Sequence, residues 1–382
     1  MPKDKGSGRH IAILGGGIIG ASIAYYITLL NKDPALKVTV VEQTGIACAA
    51  SGKAAGFLAR EWCNGGPQED LAHKSFEMHC ELAKKLDGKN RYDWRVVDTF
   101  SVSASVKAVS NKPTPTDWFK RGVVTKFKEV GNIQTTAQLH PLKFTQVLIQ
   151  EAESRGAKVL IARAEGFIFD GNKITSIRLS NGNILDVDDV IIAMGPWSGK
   201  ALNWLIKKSG RSHHLPDITG QRAHSIILRP PALLSPHVCF VTLNTGRKFV
   251  EPEIYPRPDG NVYIFGELDG GELPETADEY IPSEIAVQNL KSNIHILSPD
   301  VLGVAPVVME QCCFMPIPED NRPLIGKVPW LEGIYIASGH SVWGILNSTG
   351  TGLVMAEMLL KGQAKSIDVR KLSPMRSKVV YY

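Results

Sequence analysis

Gly15, Gly16, Gly17, Ile18, Ile19 and Gly20, followed about twenty residues later by Glu42, have the types and spacing to hold a diphosphate. Gly15 permits a tight turn, Gly17 lets the backbone approach a pyrophosphate, and Gly20 lets a helix lie close on a strand. A helix starting here turns unpaired N–H groups and a partial positive charge toward the phosphates. Glu42 can accept hydrogen bonds from ribose hydroxyls, and no arginine-rich pocket for a 2′-phosphate accompanies it. The chemistry on offer is a grip on the ADP half of a dinucleotide.

Positioning these groups takes a strand at 11–14, a helix, and a second strand at 38–42, with Asn31-Lys32-Asp33-Pro34 breaking the chain between the last two. A stretch of small residues, 48–56, then lets the backbone pass close to something bulky. Apolar spacing predicts helices over 71–86, 140–154, 284–297 and 347–360. Residues 100–109 alternate as a strand, and Asp170-Gly171-Asn172 joins two short strands as a hairpin. Residues 190–195 and 333–337 read as buried core strands. Segments 223–228, 238–243, 249–255 and 262–265 read as a largely antiparallel sheet with one face toward a pocket or solvent.

The bulk composition narrows the class. A chain of 382 residues, 43% hydrophobic and 21% charged, has room for two domains with a sizeable core. Its +5 net charge is small and its Lys and Arg are scattered, so no nucleic-acid partner is expected. No apolar run reaches the ~18–20 residues of a membrane span, and residues 1–9 lack the apolar core of a secretory signal. The final Val-Tyr-Tyr is not a peroxisomal address. Six cysteines, with one adjacent pair, fit neither a disulfide framework nor a zinc spacing; a reducing compartment, most simply the cytoplasm, is expected. Nothing clusters His, Asp and Glu into a metal site.

One nucleotide-binding unit explains only the first glycine segment, whereas one long ligand lying across a sheet explains all of them. The runs GGGIIGASIAYYI with Glu42, SGKAAGF, DDVIIAMGPWSG, PIPEDNRPLIG and GIYIASGHSVWGILNSTGTG, in that order, resemble the D-amino-acid-oxidase-like (DAO) FAD superfamily of glycine, sarcosine and D-amino acid oxidases. The likeness covers about residues 10–362, and SGKAAGFLAREWC is most similar to a eukaryotic branch described only as provisional oxidoreductases. The resemblance implies an α/β fold. A Rossmann-like FAD-binding domain of the glutathione-reductase type would be assembled from 1–82, 140–215 and 305–382. An inserted, mostly antiparallel β-rich substrate domain would come from 83–139 and 216–304. It further implies FAD as cofactor, with Gly15, Gly17, Ile18, Ile19, Gly20 and Glu42 on the ADP moiety. Ser51, Gly52, Ala54, Ala55 and Gly56 would lie beside the pyrophosphate and flavin, and Met194 and Gly195, with Pro196 and Trp197, over the adenosine side. Gly339, His340, Gly344, Ile345 and Asn347 would lie near the pyrimidine end. That last placement has a physical reason, because a helix N-terminus stabilises the negative charge that reduced flavin carries near N1 and O2. The run Ser348–Gly352 would add backbone access and hydroxyl donors there, or simply allow close helix packing.

The activity implied is oxidation of a C–N bond in a small amine or amino acid by hydride transfer to flavin N5, with oxygen as acceptor. Amino-acid-oxidising members often anchor the substrate carboxylate with an Arg, which here falls on Met315, so the substrate is decarboxylated, is bulkier and apolar, or is held by another cation. Candidate replacements are Arg222 and Arg257, with Tyr255 as hydroxyl partner; each also reads as an ordinary surface or turn residue. Arg322 either reaches the flavin side or forms a structural salt bridge. Sarcosine-oxidase-like relatives attach flavin through a Cys in the neighbourhood of Cys312 and Cys313, against which stands the reading favoured here, a packed core pair. His340 reads as a group that polarises the flavin or a substrate or, the reading favoured here, as a hydrogen-bonding spacer; Trp343 reads as a flavin wall or core filler, and Trp62 as part of a lid or a plain loop. Two alternatives remain. A NAD(P)-dependent dehydrogenase has no need of the late glycine-rich strand–loop–helix. A regulatory protein that retains FAD and acts through partners, in membrane traffic for instance, is motivated by Met315. The oligomeric state is left open.

Overall fold

The computed structural model describes residues 8–209 and 215–376. Its centre is a six-stranded sheet in the order Leu324–Lys327, Ile334–Ser338, Asp189–Ile192, His10–Leu14, Lys37–Glu42, Lys158–Ile161. All neighbours are parallel except the first pair. Residues 11–14 are apolar without a break because both faces of the strand are covered. Ile11 and Ile13 pack under the helices Ile18–Leu30, Pro141–Glu153 and Gly344–Lys361. Ala12 and Leu14 turn to the opposite layer, built by the antiparallel strands Ala164–Asp170, Lys173–Leu179 and Ile184–Asp186 together with the helix Ser198–Ser209.

The second sheet has eight strands, antiparallel except where His237–Asn244 lies parallel to Asp98–Ser105. Its two faces do different work, as the alternation of residue types predicts. Ile226, Ile254 and Ile264 pack on Val287, Leu290, Ile294 and Leu297 of the helix Glu284–Leu297. Tyr255 and Tyr263 point the other way, beside Phe240 and Phe265. The strand Val307–Pro318 belongs to this sheet, running antiparallel to Ile218–Leu228 from Leu228↔Val307 to Ile218↔Pro318. A cofactor segment beginning at 305 would assign it to the other domain; its apolar run carries no local mark of which sheet it joins.

The expected helices form within a few residues of their sequence bounds, as Glu69–Lys85, Pro141–Glu153, Glu284–Leu297 and Gly344–Lys361. The last begins three residues before the expected 347, and its N-cap Trp343 makes no side-chain hydrogen bond, so no capping residue type marks the start in the sequence. The strand expected over 100–109 ends at Ser105.

Candidate active site

All five parallel strands of the central sheet end on one side, and each hands its chain to the wall of one cavity of about 460 Å3. Gly15, Gln43, Ala162, Ala193 and Gly339 are the first wall residues after His10–Leu14, Lys37–Glu42, Lys158–Ile161, Asp189–Ile192 and Ile334–Ser338. Carboxyl ends of strands in an open α/β sheet are where such folds take up ligands.

At one end lies the glycine turn. Gly15 has φ +111°, and a Cβ there would sit 2.3 Å from the Ala193 carbonyl oxygen. Gly17 caps the helix Ile18–Leu30 with no side-chain hydrogen bond, and Ser51 Oγ accepts from Ile18 N at 2.9 Å. Glu42 Oε2 accepts from Gly16 N at 2.7 Å and Oε1 from Thr44 N at 3.0 Å, which pins the carboxylate at the edge of the turn. Gly15, Gly17, Ile18, Ile19, Glu42, Ser51, Ala54, Ala55, Gly56, Met194 and Gly195 all line the cavity. Gly20 and Gly52 do not. Their added Cβ atoms would strike Gly15 O at 1.9 Å and Ala47 O at 2.1 Å, so they serve backbone packing behind the wall.

Gly339, His340, Trp343, Gly344 and Ile345 line the middle, where the helix Gly344–Lys361 presents its uncapped N-terminus to the cavity. His340 is buried and bonds Thr351 Oγ1 through Nε2 at 3.0 Å; burial pushes its imidazole down to about 3, so it is neutral, a spacer. His79 braces the same helix start by donating from Nε2 to the Ile345 and Leu346 carbonyls at 2.9 and 3.0 Å. Asn347 is off the wall, its Nδ2 donating to Gln68 Oε1 at 2.9 Å. Ser348–Gly352 are also off it, a correction to the flavin-donor reading. A Cβ on Gly352 would lie 2.7 Å from Ser22 backbone, and Gly350 N bonds Ser75 Oγ at 3.1 Å, so this run lets three helices touch.

The far end is an aromatic chamber of Phe57, Trp62, Phe240, Tyr255, Tyr263 and Phe265, with Cys313 and Met315 beside them. Ring centroids of Trp62 and Phe240 are 4.7 Å apart, and those of Phe57 and Phe240 5.3 Å. Trp62 lies in the turn between Phe57–Ala59 and Glu69–Lys85, and its Nε1 donates to Val130 O at 3.1 Å, which holds this loop residue on the cavity wall. Sequence reasoning missed Glu253, which lies on this wall and accepts a hydrogen bond from Tyr255 Oη. The signal was present, since Glu253 and Tyr255 are two apart in a strand and therefore share a face.

Of the expected anchors only Tyr255 reaches the wall. Arg222 pairs across the sheet with Phe314, whereas the cavity-lining Cys313 and Met315 flank Phe314 and point to the other face. Its guanidinium is closed on Asp269 at 2.6 and 2.8 Å. Arg257 is buried off the wall, donating to Ala54 O at 3.2 Å with its guanidinium 5.1 Å from the Tyr263 ring centroid. Arg322 is paired with Asp320 at 2.8 Å. Cys312 and Cys313 are both buried, and burial pushes the Cys313 thiol up to about 12. Among the described residues there is no cluster of metal-ligating side chains, and no helix is long and apolar enough to cross a membrane.

The sequence pattern of the family described as FAD dependent oxidoreductase (DAO) matches residues 10–358. A Schizosaccharomyces pombe protein provisionally named an oxidoreductase is 30% identical over 96% of this chain and 98% of its own. The glycine oxidase of Geobacillus kaustophilus is 25% identical over 91% of this chain and 92% of its own. A crystal structure of glycine oxidase from Bacillus cereus shares the fold with a TM-score of 0.78 at 20% identity, covering 98% of this chain and 100% of that one.

Proposed function

Because the chain belongs to the DAO family of FAD-dependent oxidoreductases, we propose that it oxidises a C–N bond of a small amine or amino acid, with oxygen as the electron acceptor. FAD is its cofactor, and the residues present suit that group. Two helices of more than three turns present their N-termini to one cavity, one beside the glycine turn, where among the described residues only Ser51 Oγ takes up a first-turn N–H, and one beside the aromatic chamber. FAD supplies a hydride acceptor there; an NAD(P) enzyme would leave the second helix start without a task. A regulatory role without catalysis finds no support in relatives named as oxidases and oxidoreductases.

The observation that carries the reading is the junction of the second helix start with a chamber walled by aromatic rings. The protein's part is to bind and orient the substrate between the aromatic wall and Trp343, and to keep solvent from the reacting carbon. The glycine oxidases among its relatives, and a structural neighbour named L-proline dehydrogenase, support C–N oxidation as the reaction class. All six cysteines are free thiols, which suits the cytoplasm.

Two expected results follow from this site. Anaerobic addition of an amine or amino-acid panel bleaches the visible flavin absorbance with at least one member, and admitting oxygen restores colour with release of hydrogen peroxide. A panel-wide failure to bleach contradicts the proposal. Secondly, acid denaturation releases the yellow colour from the chain, because a thiol held as far up as Cys313 supplies no thiolate to attack the flavin. Colour that stays with the polypeptide contradicts this.

A further inference from the structure

We propose that the aromatic chamber selects an amine cation lacking an α-carboxylate, with Glu253 as its ion-pair partner and the surrounding rings as its apolar wall. This rests on the oxidoreductase reading and names the substrate class of the same site.

The sheet register builds the arrangement. Phe240, Glu253 and Phe265 are cross-strand partners in one row over three strands, and Tyr255 faces Tyr263 in the next. Side chains alternate along a strand, so Glu253 and Tyr255 share the cavity face while Ile254 points to the opposite helix. A carboxylate set between two phenylalanines is costly to bury unless it has partners. Tyr255 Oη is its one hydrogen-bond donor among the described residues.

The charge balance then decides which ligand the chamber accepts. The charged residues on the cavity wall are Glu42, Arg163 and Glu253. The first two sit at the ends of Lys37–Glu42 and Lys158–Ile161, at the glycine-turn end of the cavity. Glu253 is the charged wall residue left for the chamber. Nearby cations are committed or screened. Arg222 is closed on Asp269, Arg257 lies behind Tyr263, and Lys53 Nζ sits off the wall, 4.4 Å from the Tyr280 ring centroid. A substrate carboxylate here would meet Met315 where a guanidinium is usual, and a like charge beside it. An ammonium would donate a charge-assisted hydrogen bond to Glu253 and meet the faces of several rings.

Glu253 also has a task before the C–H bond is broken, since an ammonium must first become a free amine. One proton passes from the substrate nitrogen to a Glu253 carboxylate oxygen, leaving the nitrogen lone pair free and the carboxyl neutral. Burial, opposed by the Tyr255 hydrogen bond and aided by the charge of Glu251, pushes this carboxyl up to about 7, suited to taking a proton near neutrality. Tyr255 and Tyr263 are the other titratable groups facing it, and both are held protonated by burial.

The test uses the flavin-loaded protein and ligands that cannot turn over: benzyltrimethylammonium, its neutral carbon isostere neopentylbenzene, and 3-phenylpropanoate. Binding is read from quenching of Trp62 and Trp343 fluorescence and from displacement of the flavin absorption bands. The cation is expected to bind at least about tenfold tighter than either other ligand. Glu253→Gln, which keeps the shape and the Tyr255 contact, is expected to lower cation affinity on the order of 30-fold with unchanged FAD content, through loss of the ion pair alone since this cation has no N–H to donate. Equal or tighter binding of the carboxylate, or an unchanged cation affinity in the variant, overturns the proposal. Should the variant fail to fold, the three-ligand comparison on the unaltered protein decides alone. Cation selectivity without bleaching by any amine supports the ligand assignment and removes the oxidation reading. Bleaching by amino acids without cation binding removes the ligand assignment and leaves oxidation standing.

Discussion

Acidification from about pH 7.5 to pH 5 is expected to destabilise the fold by about 4 kcal/mol, before most carboxylates titrate. His79 and His340 are buried, and burial pushes them down to about 4 and about 3 from an ordinary 6.5. Folded values below the unfolded one mean the native state holds neutral imidazoles. Their stabilising contribution is complete above 6.5 and is lost as pH falls from there through the folded values. At pH 5 each ring forfeits about 2 kcal/mol, one pKa unit being worth 1.36 kcal/mol. Together that is a large share of the roughly 5–15 kcal/mol that holds a typical domain. His140, pushed down to about 4 by burial and by Arg257 and Lys143, acts in the same direction. Glu253, pushed up to about 7 by burial, takes up its proton in the folded state and opposes the loss by an amount comparable to one such ring. Thermal melts across this range measure it, with His79→Asn expected to flatten the slope. A melting temperature constant from pH 7 to pH 5 contradicts the assignment.

Gly15→Val is expected to abolish flavin retention, giving a colourless protein. The substitution puts a β-branched side chain at φ +111°, where L residues are strained, and drives its Cβ to 2.3 Å from Ala193 O. The turn must then open, and the Gly16 N–H that donates to Glu42 moves with it. Because Gly15 N also donates to Val41 O at 2.8 Å, the change pulls on two strand ends at once. Absorbance at constant protein concentration measures the loss. Gly65→Ala, whose added Cβ meets nothing within 4 Å, is the control for introducing a side chain at positive φ. A Gly15→Val protein with full FAD content contradicts the placement of the diphosphate.

The glycine turn was legible because every part of it is local. Strand, turn, helix and acid follow one another within residues 11–42, and each residue type answers a steric demand of its immediate neighbours. The late helix start was legible for the same reason, in its glycines. The chamber was not, because antiparallel register brings its residues together from distant places: Phe240, Glu253 and Phe265 meet only as partners across three strands. Arg222 misled because its partner, Asp269, lies 47 residues away and turns it from the cavity. Ser348–Gly352 misled because small residues suit both a ligand's approach and a helix's, and only the contact with Ser22 and Ser75 distinguishes them.

A crystal structure of the FAD-loaded protein tests the shared premise most directly. The diphosphate should lie on the start of the helix Ile18–Leu30, with the isoalloxazine reaching Gly344 and Ile345 and one face open to Glu253 and Phe240. An isoalloxazine found outside that chamber, with Glu253 facing no bound ring, would contradict it.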